Sequence, residues 1–302
     1  MLANLQKLIT LSLAAAALCW FFHYYNSAPW LALGGFLLVI LGYSSILALE
    51  FIFLYFVNKS DPAPQASPVM LVKAWLGETL TAPRVFFWRQ PFRSRAVADQ
   101  LSPPSQLHGH RGVVFVHGFF CNRGLWTPWL QRLQGSPHAF TAISMEPVLG
   151  SIDDYSDQID AAVDQITRVT GQPPLLVCHS MGGLAARAWL KSRQAEARIH
   201  RVVTIATPHG GTWLARFGIG DNTGQMRLAS EWLGLLDYNM PVHRPSLFTC
   251  WYSNCDNIAF PTSTAALPGA DNRLVQGVAH VQLAFWPEVM DATLAMLDDP
   301  QI

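Results

Sequence analysis

A serine set between a strand and a helix carries the most chemistry in this sequence. Leu175-Leu176-Val177-Cys178-His179 is an apolar run with the length of a buried strand, and Ser180 ends it. Met181-Gly182-Gly183 follows, and then Leu184-Ala185-Ala186-Arg187-Ala188-Trp189-Leu190-Lys191, a helix-forming segment. In such an elbow the serine backbone is strained and its hydroxyl projects above the sheet edge. Small neighbours let another backbone approach, and the helix N-terminus favours developing negative charge. Ser180 has the setting of a nucleophile for acyl transfer. The common form of the motif is Gly-x-Ser-x-Gly; here Cys178 stands at the first glycine.

A serine nucleophile needs a base, and the base needs an acid to orient it. His280 follows an apolar strand ending near Val278, and Asp256 follows one ending near Tyr252. The order serine, acid, histidine, each at the end of a later strand, is that of a hydrolase triad. Asp271, His179 and His209 are rivals. Asp271 precedes the last strand and would have to fold back across it, while both histidines come before the acid and break the order. Acyl transfer also needs two donors for the oxyanion. The amide of Met181 is one candidate, and that of Phe119, in the loop His117-Gly118-Phe119-Phe120 after an earlier strand, is the other.

The surrounding pattern supplies elements that could position these groups. Apolar strands at 112–116, 139–145, 174–178, 200–205, 247–252 and 273–278 alternate with helical stretches at 125–133, 151–170, 185–193 and 287–297. Ser151 caps the second of these helices, with Asp153 and Asp154 in its first turn. Such alternation implies an α/β fold, a mainly parallel sheet with helices on both faces. Sites in these folds lie at the carboxyl ends of the strands, where Ser180, Asp256 and His280 all fall.

Four segments resemble the lipase and esterase branch of the α/β-hydrolase superfamily, bacterial serine lipases in particular. They are His117-Gly118-Phe119, His179-Ser180-Met181-Gly182-Gly183, Thr207-Pro208-His209-Gly210-Gly211-Thr212, and the loops of Asp256 and His280. The Thr-Pro-His segment recurs in lipases beside the active-site wall. The resemblance covers the chain from Arg111 to its end and implies carboxylic-ester hydrolysis through an acyl-enzyme, without a cofactor or metal. Calcium, found in some relatives, has no recognisable site here. Between 212 and 246 lies an insertion with apolar pieces around Trp213 and Trp232, which in lipases often forms a cap or lid. A thioesterase or acyltransferase would use the same residues, and an inactive tethered binding module is a third reading.

The first sixty residues are different. The whole chain has 302 residues, 51% of them hydrophobic and only 13% charged, with a formal net charge of zero. That balance leaves no electrostatic footprint for nucleic acid. Between Lys7 and Glu50 there is no Lys, Arg, Asp or Glu. One membrane helix takes about 20 apolar residues, so this span predicts two, from Leu8 to Phe22 and from Trp30 to Phe56, with a turn at His23–Pro29. Residues 1–58 read as a transmembrane hairpin, 59–110 as a linker and interfacial segment, and 111–302 as the catalytic domain. Glu50 is expected to reach the headgroups. The helical spacing of Val69, Val72, Trp75 and Leu76 predicts one apolar face, and the aromatic and basic stretch 85–93 would suit either the membrane interface or packing on the main domain.

Lys7 precedes the hairpin, and Lys59, Lys73, Arg84, Arg89, Arg93 and Arg95 follow it, whereas its turn has neither Lys nor Arg. The positive-inside rule then sets the catalytic domain on the cytoplasmic face of a bacterial inner membrane. Five cysteines form no disulfide framework, but Cys250 and Cys255 could pair if the domain faced an oxidising periplasm. With this anchor, the expected substrates are lipid or phospholipid esters drawn from the bilayer.

Overall fold

The computed structural model describes residues 1–238, 241 and 244–299. Of the 212–246 insertion, 239, 240, 242 and 243 lie outside the described residues, as do 300–302 of the 111–302 domain.

Four helices open the chain: α1 (Leu2–Tyr24), α2 (Pro29–Leu41), α3 (Tyr43–Val57) and α4 (Pro68–Pro83). Of the individual helices among the described residues, α1 is long and apolar enough to cross a membrane. Gly35 gives α2 no side chain at the crossing, so Trp20 of α1 lies against its backbone and donates its indole N–H to Leu31 O at 2.9 Å. The expected second span is not one straight helix. It breaks at Gly42, and its halves are bent by 53°. The reason is packing: α3 turns back to bury Phe51 and Leu54 against Leu71 and Ala74 of α4 and against Cys255, Phe260 and Ala279.

Helix α4 starts where Ser67 accepts the Met70 N–H at 3.2 Å, with Pro68 at the first helical position. The apolar face read from sequence points outward: Val69, Val72 and Leu76 are exposed, whereas Leu71, Ala74, Glu78 and Ala82 are buried. A π-helical turn, Arg84–Arg89, extends α4 and carries Phe86 and Phe87 inward, so the 85–93 stretch packs on the main domain.

Strands β1 (Val113–Val116), β2 (Phe140–Ala142), β3 (Leu175–His179), β4 (Arg201–Ile205), β5 (Phe248–Ser253) and β6 (Asp271–Val275) form one parallel sheet in the order β2-β1-β3-β4-β5-β6. The edge strand β6 is exposed at Asp271 and Asn272, whereas the central strands β1 and β3 are buried on both faces, which is why they read as unbroken apolar runs. Their alternation sorts the core. Val114, Val116, Leu176 and Cys178 face α6 (Ser156–Thr170) and α7 (Met181–Arg193), packing with Ile159, Val163, Leu184 and Trp189. Val113, Phe115, Leu175 and Val177 face the other way, onto Trp126, Trp129 of α5 (Thr127–Leu133) and Val289 of α8 (Pro287–Ala295). Each such aliphatic side chain stabilises the fold by about 1.5–3 kcal/mol through burial. The chain runs from β1 outward to β2 and then returns to β3 on the other side. The carboxyl ends of β1 and β3 therefore flank the switch point, where α/β sheets open a crevice.

Candidate active site

Ser180 stands at that crevice. It joins β3 to α7 with φ 53° and ψ −127°, a conformation a side-chain-bearing residue adopts only under constraint. The constraint is visible on both sides. Its N–H donates to Ile205 O at 2.9 Å, and its carbonyl accepts the Thr207 hydroxyl at 2.8 Å. The neighbouring backbone comes close enough that a Cβ on Gly182 would lie 2.5 Å from Val116 O, and one on Gly118 would lie 2.7 Å from Ser180 Cβ. Glycine at these two positions lets the β1 loop press against the elbow. Met181 is the first residue of α7, where N–H groups have no partner within the helix.

The loop after β1 is fixed by His117. Its Nε2 accepts the Met145 N–H at 2.9 Å, so its proton is on Nδ1, which donates to Gly118 O at 2.8 Å. Burial lowers this imidazole to about 4, keeping it neutral. Phe119, next along the loop, lines the same cavity as Ser180.

Asp256 and His280 come together, as their places after β5 and β6 predict. His280 Nδ1 lies 2.8 and 3.0 Å from the two Asp256 carboxylate oxygens. Both residues are buried, and Asp256 Oδ1 also accepts the N–H groups of Ile258 and Ala259 at 2.9 and 2.8 Å. Burial pushes the His280 imidazole down, but the charge of Asp256 and its hydrogen bond outweigh this, with Glu78 and Glu50 adding to them. The net direction is upward. Among the described residues no hydrogen bond joins Ser180 Oγ to the His280 ring, although both line one cavity. His179 lies against His280 with ring centroids 4.7 Å apart, and burial drives it well below the ordinary histidine value.

The other two rivals stand elsewhere. His209 is buried behind β4 and β5, beside the Thr204 hydroxyl at 3.1 Å and Cys250 Sγ at 3.5 Å. Asp271 opens β6, at the end of the sheet away from Ser180, and pairs with Arg273. The Thr-Pro-His segment supports both halves of the site: Thr207 holds the elbow, and the Thr212 hydroxyl donates to Ile258 O in the Asp256 loop. Cys250 and Cys255 are both free and buried thiols. Among the described residues no group of three or more His, Cys, Asp or Glu side chains is placed to hold a metal ion.

The cavity has a volume of about 450 Å³ and an apolar wall. Much of that wall comes from the N-terminal helices: Tyr43, Ile46 and Leu47 of α3, Ala82 and Pro83 of α4, and Phe86 and Phe87 of the π turn. No described residue of 212–246 lines it. Leu233 and Leu236 of that insertion pack instead in the core cluster that holds α7. Glu50 does not reach outward either. Its carboxylate turns inward and accepts the Asn257 side-chain N–H at 2.6 Å, because the bend at Gly42 lays α3 over the Asp256 loop. Sequence reading passed over Glu78 and Asn257 entirely. A carboxylate on the buried face of an otherwise apolar helix was the available signal for Glu78.

Residues 113–300 match the model of the alpha/beta hydrolase family. The chain belongs to that family. No curated protein matches it in sequence. Among solved structures this hydrolase is similar to the Bacillus licheniformis lipase BlEst2 in its mature form, with a TM-score of 0.55 and 17% identity over 63% of this chain and 92% of the other. It is also similar to Aspergillus fumigatus lipase B, with a TM-score of 0.56 and 18% identity over 64% of this chain and 54% of that one. At these identities the likeness shows the fold.

Proposed function

We propose that this protein is a membrane-anchored serine hydrolase that cleaves carboxylic esters of lipids through an acyl-enzyme on Ser180. The observation that carries the reading is a strained serine elbow opening on an apolar cavity that also holds a histidine fixed by a buried aspartate. His280 Nε2 removes the Ser180 proton as Oγ attacks the ester carbonyl, and Asp256 stabilises the resulting imidazolium. The amides of Met181 and Phe119 hold the oxyanion, and His280 then protonates the leaving alcohol. A water activated by the same imidazole releases the acid. The Ser180–His280 hydrogen bond closes when substrate fills the cavity, as such bonds do in many hydrolases.

Lipid substrates fit the wall and its surroundings. The apolar lining has room for an acyl chain, and α1 to α4 expose large apolar side chains, among them Trp30, Leu38, Ile46 and Leu80. Such an exposed apolar surface marks a membrane or partner interface, and here it is continuous with a helix long enough to span. Residues 1–58 then serve as anchor, and the basic residues flanking them favour the cytoplasmic side of a bacterial inner membrane. The test is hydrolysis of p-nitrophenyl esters from C4 to C16 by the detergent-purified full chain beside Ser180→Ala. The expected result is a preference for long chains in the wild type and a rate loss of about 10⁴-fold or more in the variant. Equal rates in both proteins would sink the assignment.

A further inference from the structure

We propose that Glu50 and Glu78, contributed by the N-terminal helices, are positioning residues for the Asp256–His280 pair, so that the hydrolase site is incomplete without those helices. This rests on the triad reading above. Glu78 Oε1 accepts the Val281 N–H at 2.9 Å, and its Oε2 accepts the Gln282 N–H at 3.0 Å. These are the two residues directly after His280. One carboxylate thus fixes the backbone that aims the imidazole, across about two hundred residues of sequence.

Glu50 acts on the other loop. It accepts from Asn257 Nδ2, and Asn257 Oδ1 in turn accepts the His280 N–H at 3.2 Å. Asn257 directly follows Asp256, so Glu50 fixes a residue that ties the acid loop to the backbone of His280 itself. The hydrolase domain has its own ties between these loops: Asn254 Oδ1 accepts Gly277 N–H at 2.9 Å, and Ser253 Oγ accepts Val278 N–H at 3.3 Å. With Asn257, those ties reach as far as the His280 N–H. From Val281 onward, the carboxylate of Glu78 takes over.

Both acids line the catalytic cavity, and burial raises the Glu78 carboxyl to about 7. Backbone hydrogen bonds and the imidazolium of His280 oppose that rise. The titratable groups facing this cluster are Glu50, Glu78, Asp256, His179 and His280. A negative Glu78 favours protonated His280, and therefore sets where on the pH axis the imidazole becomes free to act as a base.

The experiment measures kcat and KM against pH for the full-length chain in detergent, with rates normalised to end-point fluorophosphonate labelling so that misfolded protein drops out. Glu78→Gln is expected to lower kcat by about 10- to 100-fold with KM unchanged. It should also move the acidic limb of kcat/KM to lower pH by about one unit. Glu78→Asp retains the charge but cannot span both N–H groups, so kcat falls and the limb stays. Glu50→Ala, which removes the acceptor for Asn257, is expected to lower kcat more than Glu50→Gln, which keeps one. Wild-type kcat and limb in every variant would overturn the proposal. So would activity lost only in proportion to labelling with the limb unmoved, which would make the helices structural support alone. A Ser180→Ala control as active as wild type would instead sink the triad reading.

Discussion

The two parts of this chain deploy their apolar residues in opposite senses. Between 113 and 299 the apolar runs are strands buried on both faces, with Val113 to Val116 and Leu175 to Cys178 wholly removed from solvent. In α1 to α4 many residues of the same kinds face outward, although Phe51, Leu54 and Leu71 are buried, and three polar residues, Gln6, Glu50 and Glu78, turn inward to meet Gln90, Asn257 and the His280 loop. The hydrolase domain keeps its apolar residues inside, and the helices hold many of theirs outside. A segment with that inverted pattern looks like a mere tether in sequence, yet here it supplies the wall of the cavity and two hydrogen-bonding carboxylates behind it.

The largest effect expected from the domain side comes from Asp256. Asp256→Asn keeps the size but leaves an amide opposite His280 Nδ1, which favours the wrong imidazole tautomer. A kcat loss of about 10⁴-fold is expected, measured by ester hydrolysis with folding checked by circular dichroism. A loss under tenfold would remove Asp256 from the acid post.

The proposed triad was legible because each member stands at or a few residues past the end of a strand, and strand order is written in local pattern. Ser180, Asp256 and His280 needed only the alternation of strands and helices to be placed on one sheet edge. Glu50 and Glu78 were not legible in that way. Their partners are separated from them by 207 and 203 positions, and no local period links an acid in an apolar helix to a backbone amide that far off. The outward face of α4 misleads for a related reason: Val69, Val72 and Leu76 have core spacing, but they lie on the exposed side of the helix while Leu71 and Ala74 take the buried side. The bend at Gly42 was equally hidden, since Gly is tolerated in a straight membrane helix as readily as at a break.

Stability measurements sharpen the same contrast. Trp126→Ala empties a fully buried site packed against Phe115 and Trp129, and should cost about 3–5 kcal/mol. Leu54→Ala, on α3, should cost about 2–5 kcal/mol, because Leu54 is buried in the cluster that includes Cys255 and Phe260 of the hydrolase domain. Thermal melts of both variants in detergent test this. If Leu54→Ala melts with the wild type while Trp126→Ala does not, the N-terminal helices are a separable anchor, and the coupling argued from α3 fails.

The smallest expected effect, and the one that separates the two regions by sign, is the dependence of stability on pH. His117 belongs to the sheet, and burial lowers it from 6.5 to about 4. The unfolded chain therefore binds more protons than the folded one between those values, so stability is full above pH 6.5 and is lost as pH falls toward 4. His179 and His209, also lowered by burial, act in the same direction. Glu78 belongs to α4, and burial raises it from 4.5 to about 7. Here the folded chain binds more protons, so stability is full below pH 4.5 and is lost as pH rises to 7. Each shift alone is worth about 3 kcal/mol. Melting temperatures from pH 4 to 8 should then fall at both ends, with Glu78→Gln flattening the alkaline side and His117→Gln the acidic side. If Glu78→Gln left the alkaline side as steep as in the wild type, Glu78 would not be the buried acid that opposes folding there, and the inverted polarity of the N-terminal helices would lose its energetic signature.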